Sequence, residues 1–95
     1  MLFEWDESKR QTNLAKHGID FRDAIRVFDG PVFESVSRRR GEARMVVIGL
    51  MEGVEIVLVY VMREEQRRII SARRAHRNER QDYANHLKGP EQGRD

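Results

Sequence analysis

Apolar and polar positions along the chain follow two periods. Phe21, Ala24, Ile25 and Phe28 recur at i, i+3, i+4 and i+7, the core-facing stripe of a helix. Asp20 stands at its N-cap, Asp23 in its first turn, and Asp29-Gly30-Pro31 stops it. The pattern then changes to strands. Val32 to Val36 predicts a short one, followed by a polar loop from Ser37 to Glu42. Arg44–Leu50 (RMVVIGL) and Val54–Met62 (VEIVLVYVM) predict two strong strands joined tightly at Met51-Glu52-Gly53. The second run has Val57, Val59 and Val61 on one side and Ile56, Leu58 and Tyr60 on the other, as a central strand buried on both faces does. A turn near Glu64-Glu65 leads to a fourth run, which reaches Arg74.

The remaining elements are more polar. Leu2 to Trp5 predicts a short first strand. Asp6 reads as an N-cap with Glu7 in the first turn, and the helix runs to Lys16 or His17, with Gly18 at C′. A last helix covers about Arg77 to Lys88 and ends at Gly89-Pro90. The order β-α-α-β-β-β-β-α, with short links between successive strands, predicts an α+β domain over residues 1–88. It has an antiparallel meander on two N-terminal helices, a C-terminal helix and a disordered tail at 89–95.

Charge changes this picture most at Arg67–Arg80 (RRIISARRAHRNER), where fourteen residues hold six arginines and one acid. Strict alternation puts Arg67, Ile69, Ser71 and Arg73 on one face and Arg68, Ile70, Ala72 and Arg74 on the other. Burying so much unpaired charge is costly, whereas guanidinium groups grip phosphates bidentately. The net charge of +2 is uneven: residues 1–37 hold five Lys/Arg against seven acids, and residues 38–95 thirteen against nine. Arginine outnumbers lysine fifteen to three, which suits phosphate recognition, although an Arg-preferring, high-GC codon usage produces the same excess. RNA is the ligand first expected, on a floor formed by the basic strand.

Other classes are set aside by absence. The chain has no cysteine, and so no disulfide or thiolate metal site. No apolar run approaches the roughly 18–20 residues of a membrane span, and the start, MLFEWDESKR, lacks a signal peptide's basic and apolar regions; a cytoplasmic location is expected. No metal-ligand spacing, P-loop or dinucleotide fingerprint occurs, so neither metal nor cofactor is expected.

Several fragments together resemble the BrnT toxin family. They are FEWDESK at Phe3–Lys9, NLAKHGIDF at Asn13–Phe21, the A-x-x-V-F at Ala24–Phe28 before Asp29-Gly30-Pro31, GEAR at Gly41–Arg44, and IISARRA at Ile69–Ala75 with Glu79 and Tyr83 beyond. The resemblance implies a RelE-like fold and a ribonuclease toxin of a type II toxin–antitoxin system that stops translation. It also implies neutralisation by a BrnA-type ribbon-helix-helix antitoxin, in a complex of at least 2:2, with operator DNA reached only through that antitoxin. The chain departs at His76, where the family commonly has a helix-capping Thr, although Glu79 keeps the capping-box spacing. The rival reading is a non-catalytic RNA- or antitoxin-binding module acting mainly as a co-repressor.

Metal-independent RNA cleavage needs a base for the 2′-OH, an acid for the leaving 5′ oxygen and cations for the phosphorane. Arg73 and Arg74 are the first cations to consider, against salt bridges to helix acids such as Asp20 or Asp23. Arg63 follows, against a solvated turn residue. His17, closing the first helix where a cation is favoured, is a candidate acid, against a capping role packed on Trp5 or Phe21. Lys9, Lys16, Arg68, Ser71 and His76 are candidate RNA contacts. Tyr83 stacks on a base or instead anchors the last helix inward. Arg38-Arg39-Arg40 reads as a flexible electrostatic contact to RNA or an acidic partner, against a solvated loop.

Overall fold

A computed structural model describes residues 2–89. The elements are β1 (Phe3–Glu4), α1 (Glu7–His17), α2 (Phe21–Ala24) running into a 3₁₀ segment (Ile25–Asp29), β2 (Phe33–Arg39), β3 (Glu42–Met51), β4 (Val54–Arg63), β5 (Gln66–Arg74) and α3 (Arg77–Lys88). The strands form one sheet in the order β1-β5-β4-β3-β2. β2 to β5 are the expected antiparallel meander, but the sheet is mixed, because β1 runs parallel to β5. The proposed tail lies outside the described residues except for Gly89.

α1 begins where the Asp6 carboxylate accepts from Ser8 N–H at 2.8 Å, and it ends at Gly18, whose φ of 73° suits a residue without Cβ. α2 starts at Asp20 in the same way, its carboxylate accepting from Arg22 N–H. The Phe21 stripe is not one continuous α-helix. It tightens to three residues per turn after Ala24, so Phe21, Ala24 and Val27 are the fully buried residues while Ile25 and Phe28 are half-buried. Val27 packs on Gly49 of β3, where an added Cβ would lie 2.8 Å from the Val27 Cβ.

α2, the 3₁₀ segment and Ile19 before them cover one sheet face, where Val47, Ile56, Leu58, Tyr60, Ile69 and Ala72 form the main core, and α1 lies along the β5 edge. α3 covers part of the other, where Tyr83 and Ala75 pack with Ile48, Val57 and Phe33. β4 is buried on both sides, as its pattern required.

β5 departs from strict alternation. Tyr60 pairs with Ile69 but Val59 with Ser71, so Ile70 is an extra residue, a β-bulge. Before it, Arg67 and Ile69 face the helices; after it, Ala72 and Arg74 do, while Arg68, Ser71 and Arg73 share the other face. The expected grouping of Arg67, Ile69, Ser71 and Arg73 is therefore corrected. The Arg67 guanidinium lies over the Phe28 and Tyr60 rings, 4.6 and 5.1 Å from their centroids.

The polar loop expected at Ser37–Glu42 is also corrected. β2 continues through Arg38 and Arg39, paired with Ala43 and Glu42, and the turn is Arg40-Gly41 alone. Charged residues sit there without burial cost because β2 is the sheet edge.

Candidate RNA-binding groove

β1 pairs with β5 only at Arg67 and Arg68, which leaves the outer edge of β5 without a strand from Ile69 onward. Asn13 of α1 takes the missing strand's place. Its side chain donates to the Ala72 carbonyl at 2.9 Å and accepts from the Ala72 N–H at 3.1 Å, and it also donates to the Ile19 carbonyl. This buried amide fixes α1 against the strand edge and turns Lys9, Thr12 and Lys16 along the rim.

Two clefts meet at this edge. One, of about 270 Å³, is lined by Ser8, Lys9, Thr12, Asn13, Lys16 and His17 of α1 and by Ile70 and Ser71 at the bulge. The other, also about 270 Å³, lies on the sheet face beyond α3, between Ser37, Arg39, Arg44, Val46, Val57, Val59, Ser71 and Arg73. Ser71 lines both, so together they make one path over the β5 edge.

Three arginines, Arg39, Arg44 and Arg73, line the sheet cleft. Arg73 is held by Glu79 of α3 through two bonds of 2.9 Å, and its Nη1 also donates to the Arg74 carbonyl. Its Nε and one further Nη2 hydrogen remain for an anion. The weighed salt bridge to a helix acid thus exists, with Glu79 in place of Asp20 or Asp23. Arg73 holds the Glu79 carboxyl down at about 2; burial opposes this, and the His76 N–H, donating at 2.7 Å, reinforces it. Arg44 brings a second guanidinium, whose buried Nε has no hydrogen bond and lies 3.5 Å from the Glu42 carboxylate.

Of the residues singled out in the sequence, the groove brings together Lys9, Lys16, His17, Ser71 and Arg73. His17 is exposed at the end of α1 rather than packed on an aromatic ring. Arg68 shares the open face but sits farther along, 3.4 Å from Glu4. Arg63 pairs with Gln66 and Arg73 with Val57, six residues apart on β4 and hence about 20 Å. Arg74 is exposed and turned to the helix face. His76 is exposed at the head of α3. Tyr83 is buried with its hydroxyl donating to the Pro31 carbonyl at 2.8 Å, so it anchors α3 and offers no ring face to the groove. Arg44 was not singled out, and Arg39 only as part of a flexible contact, not as a groove residue. Their signal is the hairpin register, which sets Arg44 opposite Ser37. Among the described residues no group of His, Asp or Glu is placed to hold a metal ion, and no helix is long and apolar enough to cross a membrane.

Depressed carboxyls give a pH prediction. Besides Glu79, Asp20 is held at about 2, chiefly by hydrogen bonds from Arg22 with Arg10 assisting, and Glu7 at about 2 by Arg10. Folded values below the unfolded ones add stability above about pH 4.5, and it is lost as the pH falls toward 2. Thermal melts should show the transition temperature falling between these pH values, less steeply in Glu79→Gln. An identical slope in that variant would show that the Arg73–Glu79 pair contributes nothing.

An α+β domain with two clefts that carry lysines and arginines and share Ser71 at a bulged strand edge is the class of small protein that fold and site define. Comparison with known proteins makes this specific. Residues 5–79 match the family described as ribonuclease toxin, BrnT, of type II toxin–antitoxin system, and the chain belongs to that family. The chain is similar to the Brucella abortus ribonuclease toxin BrnT in its 1.1 Å crystal structure. The TM-score is 0.62 and the identity 33%, over 81% of this chain and all of that one. No curated protein matches the chain.

Proposed function

We propose that this toxin is a RelE-like, metal-independent endoribonuclease, and that the path over the β5 edge is its RNA site. The observation that carries the reading is Ser71 lining both clefts, which lets one strand of RNA meet the α1 cations and the sheet arginines together. Lys9 and Lys16 hold backbone phosphates along α1. Ser71 hydrogen-bonds a phosphate oxygen at the crossing. Arg73, oriented by Glu79, contacts the scissile phosphate, with Arg44 and Arg39 beyond it. The 2′-OH attacks phosphorus and gives up its proton to solvent water, the bond to the 5′ oxygen breaks as that oxygen takes a proton from His17, and a cyclic phosphate and a 5′-OH result. Arg68 and His76 extend the electrostatic surface, while Arg63 and Arg74 stand outside the reacting centre. A BrnA-type ribbon-helix-helix antitoxin, itself a dimer, neutralises the toxin in a cytoplasmic complex of at least 2:2.

This chemistry makes a definite demand. RNA should be cut in excess EDTA, and a substrate with 2′-deoxyribose at the cleaved nucleotide should survive. A requirement for Mg²⁺ would overturn the mechanism. No cleavage by the pure protein, with or without ribosomes, would favour the binding-module reading.

A further inference from the structure

The outer edge of β2 is unpaired among the described residues, for β2 stands last in the sheet. Its hairpin to β3 turns at Arg40 and Gly41, with φ of 51° and 79°, the two-residue turn with both central residues left-handed. Such a turn closes on a hydrogen-bonded pair, here Arg39 with Glu42, and bonded pairs recur at every second position. Phe33, Ser35, Ser37 and Arg39 therefore direct their backbone groups to β3. Those of Glu34, Val36 and Arg38 point outward, ready for another strand.

The sequence of β2 complements itself. Laid antiparallel on a second copy about Val36, it sets Glu34 opposite Arg38, Ser35 opposite Ser37 and Phe33 opposite Arg39. Opposite charges and paired hydroxyls are favourable cross-strand neighbours. Val36, 59% exposed in the single chain, meets its counterpart at the axis. Moving the axis one residue either way sets Val36 against a charge, Glu34 or Arg38. Charges on an edge usually guard it against association; here they fit one register of self-association.

We propose that β2 is a homodimerisation edge, at which two copies of this chain pair antiparallel about Val36 into one continuous sheet. Opposed residues of an antiparallel pair point to the same side, so both arginine clefts open on one face. Ser37 and Arg39, which line the cleft, come next to the junction.

The chain has no cysteine, so Val36→Cys introduces a lone thiol. Across a hydrogen-bonded pair the Cα atoms are about 5.5 Å apart, within disulfide range. The full chain should show reversible dimerisation by sedimentation at roughly 100 μM, as a small interface permits. Under mild oxidation Val36→Cys should give a covalent species of twice 11.2 kDa, whereas Leu14→Cys, on the exposed side of α1, should not. Arg38→Glu sets two acids together and should weaken the dimer at least tenfold. Glu34→Arg with Arg38→Glu should restore it, although Tyr60 loses Glu34 as its hydrogen-bond acceptor. A chain that stays monomeric at that concentration overturns the proposal, including one whose edge accepts a strand only from a different protein. Dimerisation indifferent to Arg38→Glu overturns it as well.

Discussion

Arg73→Ala should lower single-turnover RNA cleavage by about 10²–10³-fold, the usual loss when a contact to the developing phosphorane charge is removed. Arg74→Ala should leave the rate close to that of the parent. The two arginines are neighbours in sequence, but the strand sends them to opposite faces, and Arg73 alone lines the groove. Arg73→Lys keeps the charge and loses the fork that engages Glu79 and phosphate at once, so it should fall between the two. Because Arg73→Ala also strips Glu79 of its partner, the variant's melting temperature must be measured beside its rate. A stable Arg73→Ala protein that cleaves at the parent rate removes Arg73 from the chemistry, and an inactive Arg74→Ala reverses the assignment.

The second large effect is on stability. Asn13→Ala should cost about 3 kcal/mol or more, since three buried backbone groups, the Ala72 N–H and the Ala72 and Ile19 carbonyls, lose their partner. That is a large share of the roughly 5–15 kcal/mol stabilising a domain. Asn13→Asp should be worse, because it turns a carboxylate toward two carbonyls. Urea unfolding measures both. A loss below about 1 kcal/mol for Asn13→Ala would mean that water replaces the amide, and that this side chain does not hold α1 to the sheet.

Much of this architecture was legible because it is local. Asp6 and Gly18 bracket α1, Asp20 opens α2, and the two-sided apolar pattern of Ile56–Val61 marks the central strand. What escaped depends on pairing across the chain. Ile70 carries no glycine or proline to announce a bulge, yet one extra residue exchanges the faces of Ser71 and Arg73. Arg38 and Arg39 look like loop residues until β2 is known to be an edge. Val27 falls outside the i, i+3, i+4 stripe because the helix tightens beneath it. Asn13 reads as one more polar residue of a polar helix, and only contact with Ala72, far along the chain, reveals its role. In the groove, Lys9, Lys16, His17, Ser71 and Arg73 were found by residue type and resemblance. Arg39 and Arg44 needed the hairpin register, and the burial of Tyr83 needed the fold.

The parallel pairing of β1 with β5 joins positions 3 and 67, whereas every other strand pair closes through a short turn. Hairpins form quickly, and closing so long a loop comes late. On the ribosome the first helix emerges early but has no edge to dock on until the fifth strand is made. Its lysines and Arg73 therefore come together only once β5 has been synthesised. A nascent fragment ending before β5 has neither the crossing at Ser71 nor Arg73, so the groove cannot assemble until the ribosome has passed Arg73.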